Sequence, residues 1–137
     1  MADATRPLPS LSDPDTAPFW RATKEHELRY QVCDDCDEVV FYPRRHCVPC
    51  LGSPLSWRTS KGEGEIYSYS VVQLSRHPFF GTKVPYAVAL IDLDEGFRML
   101  SNVVGVEDPV AELSVGQRVA VEWEDHDEVA IPLFRPV

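Results

Sequence analysis

The sequence predicts a mostly-β protein with a metal-stapled segment near its start, on three observations. Twelve prolines and seven glycines interrupt the 137 residues too often for long helices. From residue 62 onward, short runs rich in β-branched and aromatic residues alternate with turn residues. Upstream of them, two Cys-x2-Cys pairs lie ten residues apart, at Cys33, Cys36, Cys47 and Cys50.

Residues 1–14 carry Pro7, Pro9 and Pro14 and read as a flexible lead-in. A short helix is expected next. Asp15 or Thr16 is its cap, Pro18 suits its first turn, and Phe19, Trp20, Thr23 and Leu28 fall near one another at helical spacing. Residues 29–59 form the cysteine segment, and the runs 28–32 and 38–42 flank the first pair like the arms of a hairpin. Residues 65–74 are a strand, with Tyr67, Tyr69 and Val71 on one face and Ile66 and Val72 on the other. Residues 84–93 are apolar enough for a strand buried on both faces, and 97–104 return as a third after a turn at 94–96. Asp108 caps a helical turn that opens with Pro109. Residues 117–123 and 129–134 supply strands four and five.

Three strands, a helical connection and two more strands is the order of an OB-fold, a small closed barrel without exposed edges. Another small β-sandwich is the alternative. The expected organisation is a lead-in at 1–14, a helix and metal ribbon at 15–60, and a five-stranded barrel at 61–137.

Two facing Cys-x2-Cys knuckles place four thiolates around one zinc ion, each about 2.3 Å from it. A shell of four thiolates leaves no position for water or substrate, so the expected Zn2+ is structural. A segment of this size buries too little apolar surface to hold itself together without a staple. Redox disulfides are the competing reading, without the thioredoxin-like context that would favour it. His46, beside Cys47, is expected at the surface.

Thirteen basic and 22 acidic residues leave a net charge of −9. That sign disfavours nucleic acid, whose non-specific affinity comes from Lys and Arg, and anionic membrane surfaces likewise. No apolar run reaches the roughly 18 residues needed to cross a bilayer. The opening residues lack the apolar core of a secretory signal, so a cytoplasmic location is expected. No Gly-rich phosphate loop, nucleophile elbow or His-Glu hydrolase motif occurs. His26, His46, His77 and His126 are isolated in sequence. The acidic run at residues 122–128 lacks the ordered spacing of a calcium loop and reads as a solvated hairpin tip. No catalytic residue is assigned.

Two features remain. Arg44 and Arg45 are the adjacent basic pair, a solvated surface feature or a clamp for the phosphates of coenzyme A. Phe79 and Phe80 lie in the loop joining the first two barrel strands, where they either fold onto the core or form an apolar patch for a partner.

In order along the chain stand Phe19-Trp20, the four cysteines, the run at 62–72, the run at 84–96, residues 115–122 and the closing Phe134-Arg-Pro136. Over about residues 17–136 this combination resembles the acyl-CoA-associated OB-fold proteins with an N-terminal rubredoxin-like zinc ribbon, domain of unknown function 35. The resemblance implies an accessory subunit rather than an independent enzyme. It implies a thiolase-like partner (a thiolase, or a lipid-transfer-type aldolase that shortens steroid side chains held as CoA thioesters) or a hot-dog-fold hydratase. In such a hetero-oligomer the partner supplies the catalytic groups, and the small subunit stabilises it and helps wall the channel for the CoA ester. On this reading Arg44, Arg45, Phe79 and Phe80 contact CoA or the partner.

Two other classes compete. A single-stranded nucleic-acid binder would stack bases on Tyr67, Tyr69 and Phe97, against the charge of the chain. An enzyme acting alone on acyl-CoA would need a nucleophile–base pair that the sequence does not offer.

Overall fold

The computed structural model describes residues 5–137; the first four residues of the lead-in lie outside the described residues. Helix α1 (Ala17–Thr23) opens at Thr16 with Pro18 in its first turn. It ends sooner than its apolar spacing suggests. Leu28 is not on the helix but opens strand β1 (Leu28–Cys33), because the chain turns at residues 24–27, where His26 adopts a positive φ of 59°.

Strand β1 pairs antiparallel with β2 (Val39–Val40), forming the expected hairpin around the first knuckle. On its other side it pairs over six residues with β3 (Leu55–Ser60), from Leu28↔Ser60 to Cys33↔Leu55. The cysteine segment is thus a three-stranded sheet in the order β2-β1-β3. The third strand goes unread in the sequence because Ser56, Arg58, Thr59 and Ser60 dilute its apolar pattern. It forms because β1 offers a complete ladder.

A two-residue turn leads from β3 into β4 (Glu63–Val72), where the barrel begins. Gly62 turns with φ +74°, and a Cβ on Gly64 would stand 2.3 Å from the carbonyl oxygen of Asp92. Only the absence of side chains lets β4 approach β5 so closely. The remaining strands are β5 (Tyr86–Leu93), β6 (Arg98–Val103), β7 (Arg118–Asp125) and β8 (Ala130–Pro136). They close in the order β4-β5-β6-β8-β7. Helix α2 (Pro109–Glu112) connects β6 to β7, and the Asp108 carboxylate accepts from the Val110 and Ala111 amides as its cap. The five-stranded barrel is the one the sequence predicts.

Two details differ from the expected alternation. A bulge between Ile66 and Ser68 sets two residues of β4 against one of β5. Ile66 and Tyr69 therefore both face inward, while Tyr67 lies outside, covered by the Arg98 guanidinium 3.4 Å above its ring. Strand β5 is buried on one face and half-buried on the other, not buried on both.

Ile66, Ile91, Val119 and Phe134 fill the barrel and are wholly buried. The same core continues into the ribbon, since Phe97 stacks on Tyr30 at 5.0 Å and meets Phe41 at 4.7 Å. Glu95, in the β5–β6 turn, accepts from Ser60 Oγ and the Lys61 amide and clamps the β3–β4 turn. No helix among the described residues is long and apolar enough to cross a membrane.

Candidate metal centre and apolar groove

The two knuckles are the same turn built twice. In the first, the Cys33 amide donates to the Glu38 carbonyl and the Asp37 amide donates to the Cys33 carbonyl, both at 2.9 Å. In the second, the Cys47 amide donates to the Gly52 carbonyl at 2.8 Å and the Leu51 amide to the Cys47 carbonyl at 2.9 Å. Asp37 and Leu51, each following the second cysteine of its pair, both have φ 62°. A Cβ on Gly52 would lie 2.7 Å from the Asp35 carboxylate and 3.3 Å from Cys50 Sγ, so a side chain there would push the Asp35 carboxylate aside.

This repetition points four sulfurs at one centre, all within 4.8 Å of one another. Cys33 and Cys47 are buried and Cys36 and Cys50 exposed. The short contacts run across the knuckles, Cys33–Cys50 at 3.6 Å and Cys36–Cys47 at 3.5 Å. Sulfurs about 2.3 Å from a tetrahedral ion stand about 3.8 Å apart, so the donor set fits one metal held between the knuckles. A redox pair would instead join the two cysteines of one motif. The Glu38 amide favours the Cys36 thiolate, but the Cys47 thiol, desolvation and the other two sulfurs outweigh it and push the group up to about 12. His46 is exposed and outside the cluster.

Of the other sequence-selected residues, Arg44 and Arg45 lie on the exposed loop before the second knuckle. Buried Gln31 holds that loop, its side chain donating to the Arg44 carbonyl and accepting from the Arg44 amide. Arg45 is paired with Asp15 at 2.7 Å. Phe79 and Phe80 are far along the chain from this loop, and Phe80 lines a different cavity from Arg44 and Arg45. Both are half-buried and pack edge-on at 5.1 Å, with Phe80 resting on Tyr86. Phe97, offered by the sequence for base stacking, is buried against the ribbon, and the Tyr69 hydroxyl donates to the Leu113 carbonyl.

Sequence reasoning missed an apolar groove of about 320 Å³ beside β6 and β8. The barrel closes there through a single parallel pair, Val103↔Phe134. Earlier along β6 the strands part: Ser101 Oγ donates across to the Pro132 carbonyl, and the Leu100 amide donates to the Tyr42 hydroxyl instead of a strand neighbour. Trp20 of α1 and Phe41 and Tyr42 of the ribbon wall the gap above Met99, Leu100 and Ile131. A concave, mainly aromatic and aliphatic lining with few polar groups is the character of a site for apolar ligands or side chains. Its residues come from five elements and loops, so no local motif announces it.

Family profiles match in the order of the fold. The profile for the ChsH2 rubredoxin-like zinc ribbon domain covers residues 20–56, and that for the ChsH2 C-terminal OB-fold domain covers residues 57–124. The 3-oxo-4,17-pregnadiene-20-carboxyl-CoA hydratase alpha subunit of Mycobacterium tuberculosis is 33% identical over 91% of this chain. The chain spans 39% of that relative and 40% of a second hydratase alpha subunit it matches. A DUF35 domain-containing scaffold protein of Methanothermobacter thermautotrophicus is 30% identical, over 81% of this chain and 88% of its own. Among solved structures, a chain of an Ltp2-ChsH2(DUF35) aldolase is similar at a TM-score of 0.82 and 32% identity, over 96% of this chain and 98% of that one. With both profiles in sequence and similarity to DUF35 proteins over most of the chain, the chain belongs to the DUF35 family, in the ChsH2-type arrangement of zinc ribbon followed by OB-fold.

Proposed function

We propose that this chain is a non-catalytic accessory subunit that binds and stabilises a thiolase-fold CoA-ester enzyme and contributes its apolar groove to the acyl channel of the complex. The observation that carries the reading is its similarity, over nearly the whole of both chains, to the chain of the Ltp2-ChsH2(DUF35) aldolase. The chemistry of the chain supports it. The four thiolates are gathered on one centre, where zinc, once bound, supplies a closed structural shell. The groove is lined mainly by aromatic and aliphatic side chains, and no His, Cys, Asp, Glu, Lys or Arg is among its lining residues. It takes a fatty or steroid body; Arg44 and Arg45, on the loop just beyond Pro43 at its wall, face the phosphates or acidic partner residues. The partner's residues carry the reaction, which for an aldolase is retro-aldol cleavage of a β-hydroxyacyl-CoA. The complex works on CoA thioesters of lipids or steroids in the cytoplasm.

A second reading, a hot-dog-fold hydratase as partner, is favoured by the identity to the M. tuberculosis hydratase alpha subunit. Co-expression with each class of partner, followed by affinity capture and an assay for CoA-ester cleavage or hydration, separates the two. Capture of the thiolase-fold protein and not the hydratase is expected. A subunit that captures neither, or turns over an acyl thioester alone, overturns the proposal.

A further inference from the structure

Arg6 belongs to the segment that the sequence presents as a flexible lead-in, yet its side chain is only 12% exposed. Its Nε and Nη2 donate to both carboxylate oxygens of Glu124 on β7, the second at 3.0 Å. The guanidinium carbon stands 4.9 Å from the centre of the Phe79 ring and 5.5 Å from that of Phe80. His126 Nε2 meets the same carboxylate at 2.7 Å, and Lys83 is the other cation on the Phe79 ring, at 5.4 Å. A carboxylate that receives a guanidinium fork, walled by two aromatic rings, is a complete recognition site for arginine. The chain fills it with a residue of its own.

Residues 5–12 form no helix or strand, and Arg6 makes their only side-chain contact with the barrel among the hydrogen bonds and ion pairs of the described residues. An arm anchored through one side chain can be displaced by a competitor that brings the same group at higher local concentration. The surroundings attract such a group: Glu122, Asp125, Asp127 and Glu128 flank the seat in sequence, on a chain of net charge −9. Beneath the arm lie the two phenylalanines that the sequence offers as core packing or as a partner surface.

We propose that Phe79, Phe80 and Glu124 form an arginine seat, occupied in cis by Arg6, to which a partner protein docks by an arginine on an extended segment that displaces the N-terminal arm. The seat itself follows from the geometry; its use by the partner rests on the accessory-subunit reading. The test keeps the two apart. A synthetic peptide spanning residues 2–12 is titrated by calorimetry into full-length wild type and into Arg6→Ala, whose seat is empty. The peptide should bind Arg6→Ala about tenfold more tightly than wild type, because the cis competitor is gone. The same peptide carrying Ala in place of its arginine, or a host carrying Arg6→Ala with Glu124→Gln, should show no binding. Equal affinity for both hosts, or binding that survives loss of the peptide arginine, overturns the seat. Arg6→Ala should in addition capture the partner more tightly than wild type does; weaker capture would make the arm part of the docking surface and overturn displacement while leaving the seat intact. A concentration-dependent wild-type dimer that Arg6→Ala abolishes would assign the seat to the arm of a second copy instead.

Discussion

The side-chain oxygen of Thr23, the last residue of α1, accepts a 3.0 Å hydrogen bond from the amide of Ala130, the first residue of β8. Both residues are wholly buried, and the same hydroxyl donates to the Trp20 carbonyl. A single threonine thus joins the helix that carries Phe19 and Trp20 to the strand that forms one wall of the groove. Thr23→Val keeps the shape but strands the Ala130 amide without an acceptor in a dry site. It should destabilise the protein by about 1–3 kcal/mol; a urea melt reads the loss.

The β4–β5 crossing admits no side chain at residue 64. Gly64→Ala would set a methyl group 2.3 Å from the Asp92 carbonyl, against backbone that has no rotamer to yield. A loss of about 2–3 kcal/mol is expected, seen as a lowered thermal midpoint. Gly96→Ala, in a turn with nothing within 4 Å, meets no steric contact and is limited to the cost of its φ of +97°.

The knuckles predict one metal ion per chain. Elemental analysis should find one equivalent of zinc in wild type and almost none in Cys33→Ser or Cys47→Ser, the two buried ligands. Chelation should remove hydrogen-exchange protection from β1–β3 first, since the ribbon has the smaller core of its own, while the barrel strands stay protected. Full retention of ribbon protection without metal would contradict a structural ion.

Acid should weaken the protein through two carboxylates. The Arg118 guanidinium holds Asp94 below its ordinary 3.8. Burial raises Glu124, but Arg6 and His126 outweigh it and leave the group below its ordinary 4.5. A carboxyl depressed in the folded state stabilises fully above its unfolded value, and that stability is lost as pH falls through the folded value. Urea midpoints should therefore hold above about pH 5 and fall below it, and Glu124→Gln should show a smaller drop between pH 5 and pH 3 than wild type does.

Phe79→Ser with Phe80→Ser should abolish co-purification of the proposed thiolase-fold partner while leaving the isolated subunit folded, because both rings lie outside the main barrel core. Affinity capture beside a circular-dichroism melt checks both halves. A complex that forms unchanged would place the partner elsewhere.

Much of this protein is readable along the chain because its signals are local. A Cys-x2-Cys pair bends its own backbone into a knuckle, Asp108-Pro109 caps and starts a helical turn within five residues, and strand alternation announces one buried face. Local signals also fail at definite places. The bulge after Ile66 reverses the faces of Tyr67 relative to Tyr69, and β3 exists because β1 needs a second neighbour, which its own residues do not declare.

By itself, then, the sequence determined a four-thiolate ribbon followed by a five-stranded barrel, since spacing and periodicity act over a few residues. Tertiary structure decided where Arg6 sits, that Tyr42 caps the edge of β6, and that helix, ribbon and barrel leave a groove between them. Those contacts join residues up to 118 positions apart, and a side chain's partner at that distance is set by how the closed barrel brings surfaces together, which no short stretch of chain encodes.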